Sequence, residues 1–200
     1  MSKKLGKIIL TVVLILAMAG MISASYYKDG KLVLDGGNQF ARPDPPCFDN
    51  TNRYVDCGNG TVTDTVTGLT WLQNANCFGQ SAYADANDAA SGLKHGDCGL
   101  TDNSVPGDWR LPTLEEWSAT INRALGLGCQ SPALTDTQGT GCASTSMPPF
   151  SNVQSSNYWS GTSDEVNPLN AKAIYLYNGA AINVLKSTDT VYAWPVRTTR

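Results

Sequence analysis

Apolar residues follow three different rhythms along this chain. From Ile8 to Ile22 they form one uncharged run, with Lys3, Lys4 and Lys7 before it and the small residues Ser23, Ala24 and Ser25 after it. From Gly60 to Trp71 the rhythm is short: Thr and Val alternate between Gly and Asp, and Leu69, Trp71 and Leu72 give the stretch an apolar anchor. That alternation predicts two short strands in a hairpin. Further on the period lengthens to that of a helix. Tyr83, Ala86, Ala90 and Leu93 recur at helical spacing in the Ala-rich stretch Ser81 to Leu93, and Leu114, Trp117, Ile121 and Leu125 recur likewise after Thr113. Two helices are expected, the second with these four residues as its buried stripe. Thr113-Leu114-Glu115-Glu116 has the form of a capping box, Pro112 blocks helix upstream, and Gly126 or Gly128 provides the stop.

The remaining chain reads as strands and loops. Leu127 to Ser156 is rich in Gly, Ser, Thr and Pro and predicts a long irregular loop. Tyr158-Trp159-Ser160 predicts a short strand. Ala173 to Tyr177 and Ala181 to Leu185 flank Asn178-Gly179, a hairpin signal whose loop Ala180 extends to three residues, and Val191 to Arg197 closes the chain. The fold class expected is α+β, two helices with a mostly antiparallel sheet and long loops.

The N-terminal rhythm sets the compartment. Its 15-residue run is shorter than the ~20 residues of a membrane span and carries basic residues ahead of it, so residues 1–24 are expected to be a secretory signal peptide, cut after Ala24 or Ser25. Retention as an N-terminal anchor is the alternative. There is no Cys near the junction to carry a lipid. Residues 25–46 are expected to be a Gly/Pro-rich spacer with one short strand at Lys31 to Leu34, and residues 47–200 the single domain.

Charge changes the picture once the leader is set aside. Residues 1–24 hold three of the 14 Lys and Arg and none of the 17 Asp and Glu, leaving 11 against 17, a net charge of −6. Such a chain has no general attraction for nucleic acid or anionic lipid, and neither is expected as a partner. The six cysteines all lie in the expected domain, at Cys47, Cys57, Cys77, Cys98, Cys129 and Cys142. An even count in an exported chain reads as disulfides, and protein and compartment together place it in the periplasm or the medium. Six cysteines admit fifteen pairings. Nearest neighbours are favoured because each such pair closes a short Gly- or Asp-rich loop. Zinc is disfavoured by the lack of any C-x-x-C and by the single histidine, His95.

Candidate chemistry is sparse. The string Arg110-Leu111-Pro112-Thr113-x-x-Glu116-Trp117 is explained by helix capping and packing, with Arg110 expected to stack beside Trp109 and pair with an acid such as Asp108. Trp71 is assigned to the core. Acidic and amide oxygens gather in Asp164-Glu165-x-Asn167-x-x-Asn170, a loop whose ligand types suit Ca²⁺, although no cofactor is otherwise expected. The same loop, with Asn157 and the exposed members of Tyr158, Trp159, Tyr175 and Tyr177, is the expected ligand-binding surface, since aromatic faces and amides suit glycans and proteins alike.

Five ordered strings carry a family likeness: Asp56-x-Gly58-x-Gly60-Thr61-Val62-Thr63-Asp64, Thr67-Gly68-Leu69-Thr70-Trp71, Gly107-Asp108-Trp109-Arg110-Leu111-Pro112-Thr113, Tyr158-Trp159-Ser160 and Ala193-Trp194-Pro195-Val196-Arg197. Together they resemble the bacterial domain family named after the C-terminal domain of the Legionella collagen-like adhesin, over Arg53 to Arg200, about three quarters of the chain. The resemblance implies a C-type-lectin-like fold and a non-catalytic module that binds a polysaccharide or a protein at the cell surface. A structural or assembly partner of another envelope protein is the second reading. The third comes from similar Arg-Leu-Pro-Thr-x-x-Glu-Trp strings in formylglycine-generating sulfatase-modifying enzymes, which use a reactive cysteine pair near the C-terminus. This chain has no Cys after Cys142 and one His in all, so no enzyme is expected. Sulfated polysaccharide, the adhesin's ligand, fits a net acidic chain poorly, with Lys172, Lys186, Arg197 and Arg200 as the late basic residues. Glu165-Val166-Asn167-Pro168 lacks the order of the sugar-binding triplets of true lectins.

Overall fold

The computed structural model describes residues 25–28, 31–34, 47–144 and 146–198, so the expected leader lies outside the described residues. The chain divides into two units between Phe40 and Ala41. In the first, β1 (Ser25–Lys28) and β2 (Lys31–Leu34) pair antiparallel, from Ser25 opposite Leu34 to Lys28 opposite Lys31. The expected lone strand is therefore half of a hairpin. Asp29-Gly30 between the two segments is a turn signal that a composition reading of the stretch passes over.

The second unit holds two sheets and two helices. β3 (Tyr54–Asp56), β4 (Thr61–Asp64), β5 (Leu69–Leu72) and β11 (Val196–Thr198) form an antiparallel sheet in the order β11-β5-β4-β3. The Thr/Val stretch is the β4–β5 hairpin, paired from Thr61 opposite Leu72 to Asp64 opposite Leu69. All residues of both strands are buried, Thr and Asp included, so the stretch is covered on both faces. The other sheet runs β6-β10-β7-β8-β9, from β6 (Gln80–Ser81), β7 (Asn157–Ser163), β8 (Asn170–Tyr175), β9 (Ala180–Leu185) and β10 (Val191–Tyr192). Its pairs are antiparallel except β10 with β7. The α+β class stands.

Helix α1 (Tyr83–Gly92) buries Ala86 and Ala90, with Leu93 buried just past its end, and packs on β6 and β7. Helix α2 (Leu114–Gly126) begins on the expected capping box: Thr113 Oγ1 accepts the Glu116 N–H at 3.2 Å, and the Glu116 carboxylate accepts the Thr113 N–H at 2.8 Å. Its buried face differs from the expected stripe. Trp117, Thr120, Ile121 and Ala124 point inward, while Leu114 is half-buried and Leu125 is 43 % exposed. The helix is turned because Arg53 reaches the Thr120 carbonyl at 2.7 Å, and because the turn after β8 stands against Ile121 and Leu125 from the other side.

All five tryptophans are buried. Trp71, Trp117 and Trp194 form a triangle with ring centroids 5.0, 5.0 and 5.9 Å apart, in tilted and edge-on arrangements that favour aromatic pairs. Trp117 Nε1 donates to the Trp159 carbonyl at 3.2 Å and Trp194 Nε1 to the Leu72 carbonyl at 2.7 Å, joining the two sheets and α2 around one core. Three disulfides fasten the loops, Cys47–Cys57, Cys77–Cys98 and Cys129–Cys142, the nearest-neighbour set. The last lies in the expected irregular stretch between α2 and β7, and Thr137 from that stretch lays its carbonyl against the N–H groups of Arg53 and Tyr54 at 2.9 and 3.0 Å.

Candidate functional site

β8 places the expected site residues, and it places them apart. At its N-terminal end, the connection from β7 folds on its own polar groups. The Asp164 N–H donates to the Asn170 carbonyl at 3.0 Å, the Asn170 N–H to the Asn167 carbonyl at 2.9 Å, and the Leu169 N–H to Asn167 Oδ1 at 3.2 Å. Asp164 is buried and its carboxylate meets Lys172 Nζ at 3.1 Å, which holds its pKa below the usual carboxylate range. Lys186 Nζ closes the loop from the other side, donating to Ser163 Oγ at 2.8 Å and to the Pro168 carbonyl at 3.0 Å, and lies 5.0 Å from the Tyr83 ring centre. Glu165, Val166, Asn167 and Leu169 remain exposed.

The oxygen atoms of the expected Ca²⁺ loop take part in the loop's own contacts. The buried carboxylate is matched by a lysine, and Asn167 and Asn170 spend their carbonyls on loop N–H groups. Among the described residues no three His, Cys, Asp or Glu side chains lie close enough to share a metal.

At the C-terminal end of β8, Asn157 sits opposite Tyr175 in the β7–β8 register. Tyr175 stacks on Tyr177 with centroids 5.7 Å apart and planes 20° apart, and both rings are exposed, by 36 % and 42 %. Asn157 Oδ1 is buried beside them without a hydrogen-bond partner among the described residues. Five residue steps along β8 separate this end from Asn170, about 17 Å. The expected surface is therefore two patches, with Asn157 in one and Asp164, Glu165, Asn167 and Asn170 in the other.

Trp159 belongs to neither. It is fully buried, its Nε1 donates to the Ser81 carbonyl at 2.9 Å, and Tyr83 meets it edge-on at 5.3 Å. It packs in one apolar cluster with Ala86 and Ala90 of α1, so the expectation of Trp159 as a ligand contact is corrected: it is a core residue, as is Tyr158. The sequence missed the exposure of Leu125, whose side chain stands against Gly179 in the turn after β8. Its helical spacing marked it as core.

The hairpin loop beside the tyrosines is also longer than expected. Tyr175 pairs with Ala180, leaving four residues, Leu176 to Gly179, rather than three. Leu176 is drawn inward, its N–H bonded to the Ser156 carbonyl at 2.8 Å and its carbonyl to the Ala133 N–H at 2.7 Å.

Other polar groups are committed to structure. Arg110 forks onto Glu116 at 2.7 and 2.6 Å instead of pairing with Asp108, whose carboxylate accepts the Val105 N–H at 2.8 Å. Arg197, not Arg110, lies over Trp109, at 5.3 Å, and its Nη2 is 3.3 Å from buried Asp102. A shallow depression of about 560 Å³ between the β4–β5 turn and the start of α2 is lined by Glu115 and by Glu116, already held by Arg110 and Thr113. His95 is exposed, and its Nδ1 accepts the Asn103 N–H at 3.2 Å. Every cysteine is in a disulfide.

A family model described as the Lcl C-terminal domain matches residues 60–197, well over half of the chain. The chain belongs to this family. No curated protein matches it. The Lcl C-terminal domain region opens just before β4 and closes within β11, so β3 and the Cys47–Cys57 bridge precede it. Four of the five strings that carry the likeness contain a tryptophan, Trp71, Trp109, Trp159 and Trp194, and each is buried. Membership of the Lcl C-terminal domain family is thus written in residues that build the core and the α2 cap. The exposed tyrosines and the loop at residues 164–170 lie outside those strings.

Proposed function

We propose that the chain is a non-catalytic binding module of the cell exterior that recognises a polysaccharide or a protein at the cell surface. The observation that carries this reading is the exposed, stacked Tyr175–Tyr177 pair beside Asn157. Paired phenol faces with an amide at their edge offer a sugar ring or a peptide both stacking and hydrogen bonds, and Tyr spends little side-chain entropy when it binds. All other exposed chemistry is weaker as a ligand surface, since the tryptophans are inside. The C-type-lectin-like architecture implied by the family belongs to the same proposal.

Membership of the Lcl C-terminal domain family agrees with an adhesin-like role. Three disulfides point to an oxidising, extracytoplasmic setting, and no helix among the described residues is long and apolar enough to cross a membrane. Periplasm and medium both meet that condition. A thiol oxidase of the sulfatase-modifying kind would need a free cysteine pair, and six bridged cysteines support the non-catalytic reading.

The test is a glycan array, and a binding assay on envelope proteins, with the wild type and a Tyr175→Ala/Tyr177→Ala variant of unchanged melting temperature. At least a tenfold loss of affinity in the variant is expected, since a stacked aromatic contact is worth roughly 1.4 kcal/mol or more. Full affinity in the double variant overturns the tyrosine surface as the site.

A further inference from the structure

Every sheet edge leaves backbone N–H and C=O groups unpaired, and folded proteins hide them by shortness, cover, proline, charge or bulges. The edges in the Ala41–Arg200 unit are not treated alike. β6 has two residues, and its Ser81 carbonyl accepts the Trp159 indole N–H. β3 has three, and the Thr137 carbonyl accepts the N–H of its first residue, Tyr54, and of Arg53 just before it. β11 also has three, and Val196 and Arg110 exchange both backbone hydrogen bonds, at 2.8 and 3.0 Å. β9 has six, Ala-Ala-Ile-Asn-Val-Leu, without charge, proline or glycine, and pairs with β8 without a bulge.

The direction of its backbone groups follows from the ladder. The Lys186 N–H donates to the Leu169 carbonyl at 3.0 Å, one step beyond the β8–β9 register. Antiparallel strands alternate hydrogen-bonded and non-bonded pairs, so Val184 and Ile182 also turn their backbone groups to β8, while Ala181, Asn183 and Leu185 turn theirs outward. Leu185 confirms the alternation: its N–H donates to Asp189 Oδ2 at 3.1 Å, and its carbonyl accepts the Asp189 N–H at 3.3 Å. Asp189 thus caps one outward residue. Ala181 and Asn183 keep theirs open among the described residues.

We infer that β9 pairs with β9 of a second copy of this chain, antiparallel about a two-fold axis through Ile182, joining the two five-stranded sheets edge to edge. In that register Ala181 of each copy lies opposite Asn183 of the other, and these are the residues whose N–H and C=O groups point outward. Two hydrogen-bonded pairs form, and both open donors and both open acceptors of each copy are satisfied. Ile182 meets its own mate at the non-bonded position, with Cα atoms about 4.5 Å apart. Ile182 is half-buried and already packs on the apolar cluster beneath α1, so the mate completes a surface that one copy covers in part. No charged residue lies on the strand, so the two-fold brings no like charges face to face. The exposed rings of Tyr175 and Tyr177 adjoin the strand at Ala180 and extend the apolar border of the contact. A shift by one residue would set the outward groups of one strand against the inward groups of the other, and a shift by two would set Asn183 against Gly179 of the turn or Ala181 against Leu185, which Asp189 already holds, so the axis at Ile182 is the one that pairs both open residues.

Sedimentation velocity of the full, oxidised chain from about 1 μM to about 1 mM spans the range of a weak edge contact. A reversible monomer–dimer equilibrium is expected. Ile182→Lys, which sets like charges on the axis, should weaken dimerisation at least tenfold, with circular dichroism showing that the monomer stays folded. Under mild oxidation Ile182→Cys should form a covalent dimer through residue 182, with the three native bridges intact in the peptide map. Ala181→Cys should not link to itself, because its own mate lies diagonally across the axis, too far for a disulfide. A monomer at every concentration overturns the inference. So does a dimer indifferent to Ile182→Lys, or one in which Ala181→Cys links as readily as Ile182→Cys.

Discussion

Glu116 gathers three donors on one carboxylate, both Arg110 nitrogens and the Thr113 N–H. Partial burial pushes its pKa up, but the Arg110 hydrogen bonds, the Thr113 N–H and the nearby positive charge outweigh burial and hold it below the ordinary glutamate range. A folded-state pKa below the unfolded one means the carboxylate stabilises the fold fully above the ordinary glutamate value, about 4.3, and loses that contribution as pH falls through the folded value. Thermal melts from pH 7 to pH 3 should therefore show the wild type converging on Glu116→Gln at the acid end. At neutral pH the variant should be less stable by about 1 kcal/mol, the low figure reflecting an Arg110 that is two-fifths exposed. Parallel pH curves for the two proteins would show that the carboxylate charge contributes nothing. Next to it, Thr113→Ala should cost about 1 kcal/mol and Trp117→Ala about 3–5 kcal/mol, one a cap and the other a corner of the tryptophan triangle. Denaturant melts decide both, and a Trp117→Ala protein of wild-type stability would remove Trp117 from the core.

Glycines separate two kinds of constraint at the scale of the element. Gly58 and Gly60 flank the connection from β3 to β4 with φ of +68° and +84°. Both conformations strain any L side chain, but a Cβ on Gly58 meets nothing, whereas one on Gly60 would stand 2.5 Å from the Gly99 carbonyl oxygen. Backbone cannot rotate away as a side chain end can, so Gly60→Ala should cost at least about 1 kcal/mol more than Gly58→Ala, read from urea midpoints. Equal costs would mean that φ alone governs both. Local signals of this kind made much of the fold legible: the capping box at Thr113, the Thr/Val hairpin and the nearest-neighbour cysteines each depend on residues close in sequence. What was illegible depends on distant ones. The inward face of α2 is set by Arg53 and by the turn at Gly179, so spacing alone put Leu125 inside. Arg110 passes over neighbouring Asp108 for Glu116, because the helix start presents that carboxylate to the guanidinium. Aromatic identity does not tell a core ring from an exposed one, which is why Trp159 and Tyr175 looked alike: the register sets both on one face of the sheet, and the first helix covers only Trp159. The candidate site was half legible for the same reason: its residues could be named from the sequence, but the length of β8 divides them between two ends.

For the molecule as a whole, the decisive quantities are its bridges and its charge. No cysteine should react with iodoacetamide before reduction, and loss of one native bridge should cost about 2–5 kcal/mol; two or more labelled cysteines in the oxidised protein would contradict the disulfide set. Charge then governs how a ligand is held. Polyanion binding needs clustered cations, and four of the described basic residues are spent elsewhere. Arg53 and Arg197 are buried against Asp64 and Asp102, Lys172 is held by Asp164 and Asn183, and Lys186 is held by Ser163 and Pro168. Arg200 lies outside the described residues. Over residues 25–200, 11 basic residues face 17 acidic ones. Binding at the Tyr175–Tyr177 surface should then rest on stacking and hydrogen bonds, which salt screens little, whereas contacts between exposed opposite charges weaken as the screening length falls from about 10 Å at 0.1 M to about 3 Å at 1 M. Retention of the exported protein on neutral glycans should change little across that range, and heparin should retain it weakly even at low salt. Tight heparin binding that salt elutes and that Lys172→Glu or Lys186→Glu abolishes would locate the ligand at the other end of β8, with the two lysines released from the loop to meet it.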